Sequence, residues 1–181
     1  MSIVDTLGPM AGWPIRQLVL FVAVRVSPSV WYRRLRIIQF AAPGRRVDPR
    51  VVGAIYAALA LIEKHDVRWL NRLDRLVRRI VVGDRGQPMW IPSLHAILLR
   101  AEYVVETRPE WLALTLVHET MHARLWRRGI GYPRGLRRRI EQICTRAEVD
   151  FAERLPDAEH HVEVTRAKLA SDWWSDPHGR P

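Results

Sequence analysis

Residues 107–129 constrain the fold more than any other stretch of this chain. Thr107-Arg108-Pro109-Glu110 pairs a threonine with a glutamate three positions on and puts a proline in the first turn. That is a capping-box pattern, and a helix is expected to start there. Leu112, Leu116 and Leu125 follow at helical spacing, and Gly129 supplies the stop. Inside this helix stand His118-Glu119-Thr120-Met121-His122. At about 3.6 residues per turn, His118 and His122 share one face, one turn apart, with Glu119 beside them. The neighbouring residues at 114–117, 120, 121 and 123 are uncharged. Such flanks predict a buried helix that keeps both imidazoles neutral.

Two imidazoles so placed can grip one zinc ion at ~2.0–2.1 Å. In the H-E-x-x-H pattern the glutamate does not bind metal; it takes a proton from the activated water and hands it to the leaving amine. The stretch resembles the HExxH zinc metallopeptidases, the zincins. The resemblance implies one Zn2+ per chain, His118 and His122 as ligands, Glu119 as general base, and a peptide or protein substrate. Arg124, two residues after the second histidine, departs from the hydrophobic flank usual in zincins. The third histidine of metzincins is absent, because positions 125 and 128 are Leu and Arg. Similarity to gluzincins makes the third ligand a glutamate from elsewhere.

After the turn at 129–133 a second helix is expected over residues 134–155, stopped by Pro156. If it folds back antiparallel, a rise of ~1.5 Å per residue puts residues 142–143 level with the two histidines. Glu141 lies closest, 19 positions after His122, a spacing similar to that of thermolysin-like gluzincins. Glu148, two turns further along the same face, is the alternative third ligand. The run 148–156 is similar to the third-ligand region of ImmA/IrrE-type metallopeptidases. If Glu141 binds the zinc, Glu148 is free to hydrogen-bond a ligand histidine or pair with an arginine. Tyr132, in the turn, is a candidate oxyanion donor. Cys144 reads as a small buried hydrophobe. His95 precedes a strand at 96–99, and in zincins a strand over the active-site helix commonly pairs with extended substrate. His160-His161 read as an adventitious metal pair at most.

The rest of the chain sets the frame. A length of 181 residues and 48% hydrophobic content suit one globular domain. One cysteine excludes an intramolecular disulfide framework. The net charge is +10, and 27 of the 29 basic residues are arginine. This favours anionic partners, but arginine usage also follows genome base composition, so nucleic acid is not the preferred reading. Arg124, Arg127, Arg128, Arg134 and Arg137-Arg138-Arg139 straddle the turn between the motif helices and would favour an acidic partner at the cleft rim.

Residues 1–14 read as a flexible leader with Trp13 as an anchor, residues 15–156 as the zincin-like domain, and residues 157–181 as an acidic C-terminal tail. The basic amphipathic stretch 15–40 is strand or helix, with peripheral membrane contact as its second reading. Asp48-Pro49 starts a helix to about residue 64, and residues 67–76 continue helical. Strands are expected at 79–82, 89–91 and 96–105, with a hairpin-like turn at Gly83-Asp84-Arg85-Gly86, giving a short central sheet of two to four strands. The expected fold is a small, helix-rich α+β domain with two antiparallel zinc-bearing helices. No run reaches the length of a spanning helix and no basic residue precedes Arg16, so a cytoplasmic location is expected. Two other functions compete with peptidase. One is a non-catalytic zinc-binding regulatory or structural protein; the other is a basic nucleic-acid or membrane-surface binder.

Overall fold

A computed structural model describes residues 22, 24–40 and 46–171 of the chain. The leader at 1–14 and residues 172–181 of the expected C-terminal tail, with Trp173 and Trp174, lie outside them. The described elements run β1 (Ser29–Tyr32), β2 (Leu35–Gln39), α1 (Pro49–His65), α2 (Val67–Leu76), β3 (Arg79–Gly83), β4 (Met89–Ile91), β5 (Ala96–Arg100), α3 (Ala101–Glu106), α4 (Pro109–Arg127), α5 (Arg137–Ala152) and α6 (Ala158–Ala170). The fold is helix-rich α+β.

Strand side chains alternate between two cores, as a pleated sheet requires. Ile37, Ile80, Val82, Ile97 and Leu99 join the main core beneath the helices. Ile38, Val81 and Ala96 face the other side with Val24 and Leu94. The sheet order is β1-β2-β3-β5-β4. β2, β3 and β5 are parallel in the register Ile37↔Ile80↔Ile97, and the outer strands β1 and β4 are antiparallel to their neighbours. Five strands therefore replace the expected two to four. Part of the stretch left open between strand and helix is strand, since Leu35, Ile37 and Ile38 of β2 are fully buried. Gly83 to Gly86 does not close a hairpin, because β5 lies between β3 and β4.

The second half of the expected strand 96–105 is helical. β5 ends at Arg100, opposite the last residue of β3, Gly83; with no partner beyond it, the chain turns into α3. The capping box also fails to form: Arg108 is the N-cap and no side chain caps the helix. Pro49 and Asp48 do start α1 as expected, the Asp48 carboxylate accepting from Arg50 N–H at 2.9 Å. Asp66 ends α1 through its N–H to Ile62 and starts α2 by accepting from Arg68 N–H.

α4 is buried on most of its circumference, from Leu112 to Leu125, because α1, α2, α5 and β4 all pack on it. It ends in a Schellman turn. Gly129, at φ +77°, donates to Trp126 C=O, and Ile130 donates to Leu125 C=O at 3.0 Å. This turn and a 3-10 turn at Arg134–Leu136 return the chain as α5. Residues 158–170 of the expected tail form α6, which packs on α5 and buries His161, Val162 and Thr165. No described helix is long and apolar enough to cross a membrane.

Candidate metal centre

α4 and α5 meet across the site. The Nε2 atoms of His118 and His122 lie 3.1 Å apart, close enough to share a proton or a cation. Glu141 on α5 brings Oε2 to 3.2 Å from His118 Nε2 and Oε1 to 3.7 Å from His122 Nε2. Bonds of ~2.0–2.1 Å at tetrahedral angles put ligand atoms about 3.3 Å apart. The three donors therefore fit around one zinc-sized ion. Glu141 Oε2 is buried with no hydrogen-bond partner of its own, the state of an acceptor that awaits a cation.

Glu148, the alternative ligand, meets the other nitrogen of the same ring. His118 Nδ1 lies 2.5 Å from Glu148 Oε1, off the angle of an ideal hydrogen bond. Lys168 on α6 grips Glu148 from behind, with Nζ 3.0 and 3.1 Å from its two oxygens. So the two candidate glutamates stand on opposite edges of His118, and only Glu141 shares the edge that His122 faces.

Cys144, read from the sequence as a buried hydrophobe, does pack with Leu125 and Ile140. Its sulfur also lies in the site: one ligand atom each from His118, His122 and Cys144 fall within 4.8 Å of one another. Burial and the nearby carboxylates of Glu141, Glu119 and Glu148 push its thiol far up, so as a metal-free group it is a thiol, not a thiolate.

Glu119, Glu141 and Glu148 are all buried, and their charges dominate the local field. Burial opposes protonation of His118, but Glu148 and Glu141 outweigh it and raise the imidazole to about 10. Burial, with the charge on His118, lowers His122 to about 3. Glu141 resists the upward push of burial and falls to about 2, held by His118. Burial lifts Glu119 to about 7 against the pull of His118. A pocket that draws a proton onto an imidazole between carboxylates attracts a metal cation for the same reason.

The site opens into a cleft of about 410 Å³ between β4 and the α4–α5 turn, lined by Trp90, Pro88, Trp126, Ile130 and Tyr132. Glu119 accepts the backbone N–H of Trp90, which ties the carboxylate to the sheet edge. Tyr132 donates its hydroxyl to Glu141 Oε1 and its ring lies 5.6 Å from that of His122.

Other sequence candidates lie elsewhere. The strand at 96–99 is interior to the sheet; the strand beside α4 is β4. His95 takes a left-handed turn conformation near Trp90. His161 is buried 4.8 Å from the Trp111 ring. Of the described side chains of the arginine cluster, only Arg137 lines the cleft; Arg124 points to another face of α4. Sequence reasoning missed Lys168 and the Trp90 N–H. The one signal for Lys168 was its rarity, as one of two lysines in the chain. No family model, curated protein or solved structure matches the chain.

Proposed function

We propose that the protein is a zinc-dependent peptidase, with His118, His122 and Glu141 as zinc ligands and Glu119 as general base. The observation that carries this is the meeting of the two Nε2 atoms, 3.1 Å apart, with the Glu141 carboxylate, whose Oε2 lies 3.2 Å from His118 and whose Oε1 lies 3.7 Å from His122, with Glu119 buried alongside. Zinc in such a site supplies Lewis-acid polarisation and a water acidic enough to ionise near neutral pH. With zinc bound, Glu119, buried beside the two histidines, would take the proton released by the attacking water and return it to the departing amine. Its bond from Trp90 N–H fixes the carboxylate while it does so. Glu148 and Lys168 hold the His118 ring in place. Tyr132 is placed to donate to the oxyanion once its hydroxyl leaves Glu141.

The open edge of β4 gives an extended substrate a contact of limited kind. Trp90 N–H is taken by Glu119, and Pro88 and Pro92, two positions either side, have none. That edge offers Trp90 C=O as an acceptor but no donor, so it holds a peptide by the substrate's own N–H.

The test is Glu119→Gln on purified protein. Cleavage of a mixed peptide pool should be lost while zinc stays bound; cleavage at the wild-type rate would overturn the assignment. The position of Cys144 favours a second reading, in which Cys144 joins His118, His122 and Glu141 as a fourth ligand and closes a non-catalytic zinc site. There Cys144→Ser would release the metal and Glu119→Gln would change nothing.

A further inference from the structure

A second concavity lies on another face of α4 and shares no lining residue with the cleft. It measures about 390 Å³ and is walled by Arg72, Arg75 and Leu76 of α2 with Arg124, Arg127 and the following Arg128 of α4. Five of its six lining residues are arginines, and none is acidic. Arg72 and Arg124 are half-buried at the floor; Arg75, Arg127 and Arg128 are exposed at the rim. None of the five pairs with a carboxylate among the described residues. Arg72 lies over the Trp69 ring at 4.5 Å, and Arg75 donates to Asn71 C=O.

Such crowding needs an explanation. The C-termini of α2 and α4 both reach this groove, and each carries about half a negative charge. Together they offset about one of the five positive charges and leave about four unanswered. The arginines of the groove also repel one another: besides burial, Arg128 beside it and Arg72 across on α2 lower the proton affinity of Arg124. A smaller surplus continues into an adjoining concavity of about 400 Å³, which shares Arg72 and Arg124 and adds Arg68, Arg146 and Arg154 against Asp66 and Asp150. Its Asp66 is already bound to Arg154.

We propose that this arginine groove binds the phosphate backbone of nucleic acid, without reading its sequence. Guanidinium groups match phosphate oxygens in a planar, bidentate fashion. A concave wall contributed by two helices follows a strand better than it meets a flat bilayer. No aromatic residue lines the groove, and Trp69 of the adjoining concavity is buried with Arg72 over its ring, so neither offers a surface for base stacking. That favours a duplex, held by its backbone, over a single strand. The inference does not depend on the metal centre.

The test is fluorescence anisotropy with a short labelled DNA duplex of arbitrary sequence and the full-length protein. Neutralising about four phosphates predicts that affinity falls about 10²-fold between 50 and 200 mM salt. Arg72→Ala/Arg124→Ala should bind at least tenfold more weakly, with a salt slope shallower by about 2. Arg127→Ala/Arg128→Ala, which changes only exposed residues, guards against a folding defect and should behave the same way. Arg46→Ala/Arg139→Ala, outside the groove, should match wild type. Equal binding by wild type and both groove variants would overturn the proposal. So would a poly-glutamate peptide of equal charge that competes as well as the duplex does, which would put an acidic polypeptide in the groove.

Discussion

Helix α4 carries two charged faces that solve opposite problems. One face holds His118, Glu119 and His122 in the interior, where charged groups of opposite sign are set against one another: Glu141 at one edge of His118, Glu148 at the other, and Trp90 N–H on Glu119. The other face holds Arg124 in a half-open groove, where the neighbours are further arginines. A buried charge is tolerated only when partnered, so the first face has its partners built in. An exposed surplus carries little folding cost, so the second leaves its charge unanswered within the chain. The first arrangement suits chemistry, the second recruitment.

The largest effect expected on the buried face is catalytic. Glu119→Gln keeps the shape and the Trp90 contact but removes the proton acceptor, and should lower peptide turnover about 10²–10⁴-fold, read by a quenched-fluorescence peptide assay beside zinc content. Retained turnover would show that the two faces do not divide the work as described.

The metal-free protein should show a stability maximum in mildly acidic solution. Glu141, held at about 2 against an ordinary 4.5, and His122, at about 3 against 6.5, bind fewer protons folded than unfolded. Stability is therefore lost as pH falls below about 4.5. His118, raised to about 10 from 6.5, binds more protons folded; its contribution is full below about 6.5 and is lost as pH rises through 10. Between those limits Glu119, raised to about 7, and His122 act in opposite directions and largely cancel. Denaturant melts of chelated protein at about pH 3.5, 5.5 and 9 should peak at the middle value. A steady rise from 5.5 to 9 would contradict the grip of the two glutamates on His118.

A smaller change is expected behind the site. Lys168→Ala leaves the buried Glu148 short of its cation and should cost about 1–3 kcal/mol of stability in a denaturant melt. Lys168→Arg should recover part of it. The smallest effect belongs to the other face: Arg124→Ala removes a charge that its neighbours oppose, and should shift stability by less than about 0.5 kcal/mol with zinc content unchanged. A loss of several kcal/mol would mean that the groove is structural.

The buried face was the legible one because its information is local. His118, Glu119 and His122 sit within one turn and a half of a single helix, and Glu141 followed from counting residue rise across one helical hairpin. The Gly129 stop was equally local. Sheet order was not legible, because β2 and β3 pair across the whole of α1 and α2. Tyr103, Val104 and Val105 looked like strand and became helix because β3 ends at Gly83 and leaves them nothing to pair with. Lys168 reaches Glu148 from 20 residues away on another helix, a contact that no spacing rule encodes. The arginine cluster between 124 and 139 read as one rim, yet helix phase sends Arg124 and Arg137 to different cavities.

Zinc content tests the centre most directly. Elemental analysis of purified wild type beside His122→Ala, Glu141→Ala and Glu148→Ala should find about one zinc per wild-type chain, lost with His122 or Glu141. Glu148→Ala should keep the metal with affinity weakened about 10–100-fold. Wild-type protein that is free of zinc and cannot be loaded would contradict the metal centre, and zinc lost with Glu148 but kept without Glu141 would contradict its ligand set.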